Sequence, residues 1–97
     1  MYKRQNPDDA AGYLMKATLQ LQSGRPDQAI ETLNRALDCS AGVKEEVHLS
    51  LGTAYRSTGD LVQARDQFQQ ALEISPDYAA AKSALKDTTS AISASQA

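Results

Sequence analysis

The residues able to do chemistry are few and scattered. His48 is the single histidine and Cys39 the single cysteine of the 97-residue chain. Catalysis needs a nucleophile, a base or a metal held in mutual geometry, so each candidate is weighed against a plainer role. His48 falls on the apolar face of a helical pattern, where a half-buried packing histidine outweighs a general base. Cys39 stands near the end of another helical pattern and reads as a small packing residue rather than a reactive thiol. Ser40 and Ser75 sit at helix boundaries and read as caps. Glu45 and Glu46 form an acidic pair, but two carboxylates in a first helical turn are accounted for by the helix dipole. The five glycines are isolated and build no phosphate-binding loop. The expectation is no catalytic residue, no metal site and no cofactor.

Composition narrows the remaining classes. Ten basic and twelve acidic residues leave a net charge of −2, and neither sign forms a run. Nucleic-acid binding is therefore disfavoured, because neutralising phosphates takes a clustered basic surface. A single cysteine forms no internal disulfide, which favours a reducing, cytoplasmic setting. The opening MYKRQNPDDA has no apolar run after its basic residues and does not read as a signal peptide. No stretch approaches the roughly 20 apolar residues that span a bilayer, so no membrane partner is expected. With 41% hydrophobic residues, no tryptophan and one phenylalanine, alanine and leucine must do the packing. That composition suits helices lying close together.

Five helical patterns can be traced in order. Asn6-Pro7-Asp8-Asp9 combines a cap, a proline suited to the first position and carboxylates for the dipole. Ala10, Tyr13, Leu14, Ala17 and Leu21 then form one stripe, closed by Ser23-Gly24. Pro26 and Asp27 open a second helix with Ala29, Ile30, Leu33, Ala36 and Leu37 at helical spacing. After Ser40-Ala41-Gly42, a third helix runs from about Val43 to Ser57 and presents His48, Leu51, Gly52 and Tyr55. Gly59 is placed to end it and Asp60 to cap a fourth, with Leu61, Ala64, Phe68, Ala71 and Leu72. Ser75-Pro76-Asp77 repeats the start chemistry ahead of a fifth helix carrying Tyr78, Ala81, Leu85 and Ile92. No segment alternates with a strand's period of two.

Shifting the chain by 35 residues superposes Leu14 on Leu49, Thr18 on Thr53, Gly24 on Gly59 and Gln28 on Gln63. It also superposes Ala29 on Ala64, Ala36 on Ala71, Leu37 on Leu72 and Ser40 on Ser75. A period in this range signals stacked helical hairpins. His48, Leu51-Gly52, Tyr55, Ala64, Phe68, Ala71 and Pro76 together resemble a tetratricopeptide repeat, with histidine in place of the usual tryptophan. The earlier unit resembles it less closely, since Lys16 and Gln20 stand where leucine and tyrosine are expected. The resemblance implies an all-α, right-handed α-solenoid of antiparallel hairpins in a single domain, residues 1–97. Repeat one would cover about 8–42, repeat two about 43–76 and a capping helix about 77–92, with a frayed tail at 93–97. Lys86 stands in the capping helix at the slot of Ala17 and Gly52, which suits a helix without a further neighbour.

The family likeness further implies a non-enzymatic module that binds a peptide or helical segment in its concave groove. The corresponding face carries Leu14, Thr18 and Leu21 on the first helix and Glu46, Leu49, Thr53 and Arg56 on the third. Ser83 and Asp87 continue it on the fifth. Family members that clamp a chaperone's C-terminal carboxylate use lysine, asparagine and arginine at five slots. Those slots here hold Leu14, Thr18, Ser50, Ala80 and Ala84, so that ligand is not expected. Met15 and Leu19, one turn apart, lie off the packing stripe. They mark an edge for upstream repeats or a second copy, which makes a structural assembly element the alternative reading.

Overall fold

The computed structural model describes residues 10–38 and 44–96. The Asn6-Pro7-Asp8-Asp9 start, Cys39, Ser40 and the Ala41-Gly42 break lie outside the described residues. Five α-helices follow one another: α1 (Ala10–Gln22), α2 (Pro26–Leu37), α3 (Lys44–Thr58), α4 (Leu61–Ile74) and α5 (Ala79–Gln96). No strand occurs among the described residues. The chain is an all-α helical solenoid.

The two hairpin turns are built alike, as the 35-residue period requires. Gly24 and Gly59 adopt φ of +76° and +88°, the left-handed region open to glycine without steric cost. Past each glycine the chain bonds back onto the helix it leaves. Arg25 N–H donates to the Gln20 carbonyl and Asp60 N–H to the Tyr55 carbonyl, both at 2.9 Å. Gly24 N–H reaches the Leu21 carbonyl and Gly59 N–H the Arg56 carbonyl, both at 3.1 Å. These are paired Schellman closures, which satisfy carbonyls that a bare helix end would leave open. Pro26 sits at the first position of α2, as expected.

Three boundaries depart from the sequence reading. Asp60 makes no side-chain cap to α4. Its Oδ2 instead accepts from Thr58 Oγ1 at 3.0 Å, a nearer donor across the same turn. Ser75 does not cap α5 but closes α4, its N–H donating to the Ala71 carbonyl at 2.9 Å. Pro76 then occupies a turn, closed by Tyr78 N–H on the Ser75 carbonyl at 3.0 Å, and α5 begins beyond it. The tail expected to fray from residue 93 is helical to Gln96. Its alanines and serines include no glycine or proline to stop the helix.

Packing follows the small residues. Ala17, Ala29, Leu33, Val47, Ala54, Ala64, Phe68, Ala71 and Ala81 are fully buried. Gly52 shows why side-chain size matters here. A Cβ placed on it would lie 2.6 Å from Cδ1 and 2.7 Å from Cζ of Phe68, far inside van der Waals contact. The glycine therefore makes room for the ring. One period earlier the pair is Ala17 and Leu33, a larger residue against a smaller one, and both are fully buried. Val47 and Leu51 of α3 join Ala29, Leu33 and Ala36 of α2 in one core cluster. Across the α2–α3 connection, Lys44 Nζ donates to the Leu37 carbonyl at 2.7 Å, placing a cation at the negative end of α2.

Candidate partner-binding face

Each helix packs against its neighbours in the chain, but the two sets of alternate helices behave differently. α1 touches α3, and α3 touches α5, whereas α2 and α4 do not meet. The odd-numbered helices therefore converge while the even-numbered ones splay. A stack built this way curves toward α1, α3 and α5, which line its inner side.

The expected groove residues all lie on these three helices, in two different environments. Thr18, Glu46, Thr53, Arg56, Ser83 and Asp87 are exposed, while Leu14, Leu21 and Leu49 are half-buried. Leu14 and Leu21 pack against the core cluster, so hairpin stacking uses part of their surface. The two threonines are spaced by one period and make the same bond. Thr18 Oγ1 donates to the Leu14 carbonyl at 2.9 Å, and Thr53 Oγ1 to the Leu49 carbonyl at 3.0 Å. Their hydroxyl protons are thus directed to their own helices, leaving methyl groups and oxygen lone pairs for a ligand.

Glu46 also borders a second feature. With Glu45, Ile74, Ser75, Pro76, Asp77 and Tyr78 it lines a cleft of about 530 Å³, where the start of α3 meets the turn before α5. Burial, reinforced by the charges of Glu46 and then Glu45, pushes the Tyr78 phenol above its usual value of 10.0. Sequence reading placed Tyr78 in the packing of α5 and did not single out this cleft. Its walls come from residues 45–46 and 74–78, which no single helical stripe brings together.

His48 is half-buried, and its Nδ1 lies 2.7 Å from Gln67 Oε1 on α4. It therefore ties the two helices of its hairpin together. Hairpin one has a related link, with the Thr32 hydroxyl between the Gln20 side-chain oxygen at 2.8 Å and the Gln28 carbonyl at 3.0 Å. Thr32 and Gln67 are one period apart. Among the described residues, no group of three or more His, Cys, Asp and Glu side chains could hold a metal ion. Nor is any helix long and apolar enough to cross a membrane. On α5, Lys86 is exposed. Met15 and Leu19 are 68% and 58% exposed, the most open large apolar residues described.

Stacked antiparallel hairpins with small residues at the crossings define a helical-repeat protein. Comparison of sequences names the repeat: the tetratricopeptide-repeat profile matches residues 2–44 and 14–79, and the chain belongs to that family. The family is generally non-catalytic, and its repeats generally mediate contacts between proteins. The chain is also similar to the "Protein CTR9 homolog" of Arabidopsis thaliana, with 30% identity over 79 residues. That alignment covers 81% of this chain but spans only 7% of the relative's length.

Proposed function

We propose that the chain is a protein–protein interaction module that holds a peptide or helical segment of a partner along α1, α3 and α5. The convergence of those three helices carries the reading, because it makes their shared face the inner side of the stack. Leu14, Leu21 and Leu49 supply partly open apolar surface there, flanked by the methyls of Thr18 and Thr53. Glu46 and Arg56 at opposite ends of α3, with Asp87 and Ser83 on α5, supply polar contacts that fix direction. Such a mixed face suits an internal or helical segment rather than a free C-terminal carboxylate. No paired cations stand at Leu14, Thr18, Ser50, Ala80 and Ala84 to grip one.

Replacing Leu49 and Arg56 together by alanine tests the assignment. Partners are first identified by affinity capture and mass spectrometry, and their affinities are then measured for both chains by titration. The double variant should bind at least about tenfold more weakly, as expected for loss of a central anchor, with its helical circular dichroism unchanged. Equal affinity in a folded double variant would remove the groove from the proposal.

A further inference from the structure

The charged side chains around the inner side of the stack are mostly of one sign. Glu46 and Arg56 on α3 and Asp87 on α5 are exposed. Glu46 also borders the cleft of about 530 Å³ before α5, whose walls add the carboxylates of Glu45 and Asp77. Four carboxylates therefore stand against one guanidinium. None of these five side chains forms an ion pair among the described residues. The other cations of α1, α3 and α5 are directed elsewhere. Lys44 Nζ is held on the Leu37 carbonyl, and Lys16 lines a cleft that α1 shares with α2. Lys82 and Lys86 stand 34 residues after His48 and Gly52, which face Gln67 and Phe68 of α4 rather than the inner side.

The cleft beside Glu46 also offers apolar surface. Ile74 is 47% exposed, and Pro76 is exposed next to it. A lysine or arginine side chain matches that mixture, since its stem covers apolar surface while its charged head meets a carboxylate. Resting on the reading of α1, α3 and α5 as the binding face, we infer that the partner segment held there is basic. Its apolar side lies on Leu14 and Leu49, and its lysines or arginines meet Glu46 and Asp87. One such side chain enters the cleft, with its stem on Ile74 and Pro76 and its head toward Glu45 and Asp77. A carboxylate of the segment belongs at the other end of α3, near Arg56. Charge matching of this kind selects partners and speeds their encounter more than it adds affinity.

The test uses the full chain labelled with 15N and three capped model peptides of equal length. The first carries leucines at helical spacing with lysines between them, the second replaces its lysines by glutamates, and the third replaces its leucines by glutamines. The lysine–leucine peptide should give saturable shifts at the amides of Leu14, Glu46, Leu49, Thr53 and Asp87, with an affinity that falls as salt is raised. The glutamate peptide should bind at least about tenfold more weakly, because like charges meet across the face. The glutamine peptide should weaken similarly, which separates a seated segment from diffuse attraction between opposite charges. In the chain, E46K with D87K should weaken the lysine–leucine peptide about tenfold. R56E should tighten it about threefold, the scale of an exposed charge pair. All three positions are exposed, so helicity should be kept, checked by circular dichroism. Equal or tighter binding of the glutamate peptide on the inner face overturns the basic assignment and leaves the groove standing. So does equal binding of the glutamine peptide, or an E46K/D87K chain that binds the lysine–leucine peptide unchanged. Shifts confined to α2 and α4, or none at millimolar peptide, overturn it as well. The groove itself is decided separately, by the captured partners and the Leu49→Ala/Arg56→Ala variant.

Discussion

Gly52 on α3 and Phe68 on α4 form a glycine-to-ring contact in which the missing side chain is the space the aromatic fills. The corresponding pair in the first hairpin, Ala17 and Leu33, shares the burial differently, with one methyl more on α1 and a smaller side chain on α2. The two hairpins therefore solve one packing problem with two matched combinations. Exchanging a member of one combination for its counterpart in the other should fail unless both change.

Gly52→Ala makes that expectation measurable. Alanine gains about 1 kcal/mol of helix propensity over glycine, but its Cβ collides with a fully buried ring that has little room to move. Overpacking of this kind costs about 1–3 kcal/mol, so the net effect on stability should be neutral to destabilising by about 2 kcal/mol. Phe68→Leu alone leaves a void and destabilises as well. The double variant Gly52→Ala/Phe68→Leu, which reproduces Ala17 and Leu33, should recover at least about 1 kcal/mol relative to the sum of the singles. Denaturant unfolding of the four chains gives this coupling directly. Additive losses would mean that the glycine and the ring are not matched to one another.

How far the sequence reveals the structure depends on how many faces a helix uses. Ala29, Leu33, Ala36, Ala64, Phe68 and Ala71 recur on single stripes, and all are buried as expected. Val47 and Ala54 escaped notice because α3 is packed on more than one side, and a reading that selects one stripe finds only Leu51, Gly52 and Tyr55. Thr88 was not singled out in the sequence and is fully buried, its hydroxyl donating to the Ala84 carbonyl at 2.7 Å. A threonine that satisfies its own hydroxyl within the helix is nearly apolar to its neighbours, which composition alone does not reveal. The sequence reading offered Leu14, Thr18, Leu21, Glu46, Leu49, Thr53, Arg56, Ser83 and Asp87 as one face, and these residues lie on α1, α3 and α5. A ligand was not legible there, because Thr18 and Thr53 commit their hydroxyl protons to their own helices and Leu14 is shared with the core.

The cleft around Tyr78 predicts a dependence of stability on alkaline pH. The folded chain disfavours the phenolate through burial and the nearby Glu46 and Glu45 carboxylates, so Tyr78 keeps its proton to higher pH folded than unfolded. The resulting stability is fully present below the unfolded value of 10.0 and is lost as pH rises through the raised folded value. Unfolding free energy followed from about pH 9 to about pH 11.5, around the tyrosine range, should fall more steeply for the natural chain than for Tyr78→Phe. Glu45→Gln with Glu46→Gln should shallow the same slope while leaving neutral-pH helicity intact. Parallel curves for the natural chain and Tyr78→Phe would contradict the assignment.

The link between His48 and Gln67 predicts where the imidazole proton sits. A side-chain carbonyl oxygen only accepts, so the 2.7 Å approach of Gln67 Oε1 calls for a hydrogen on His48 Nδ1 in the neutral ring. Free imidazole side chains favour the other nitrogen, which makes the tautomer a marker for this bond. Two-bond 15N–1H correlation spectra of the neutral form should show Nδ1 as the protonated, pyrrole-type nitrogen. Gln67→Ala should return the ring to the Nε2–H form and destabilise the chain by about 0.5–1.5 kcal/mol, the usual net value of one such bond. His48→Phe should keep the hairpin folded, because the ring also serves as packing between α3 and α4. An Nε2–H tautomer in the natural chain would mean that the Gln67 amide is turned over and donates its N–H to Nδ1. The inter-helix link would then survive with its polarity reversed, and Gln67→Ala would change stability without changing the tautomer.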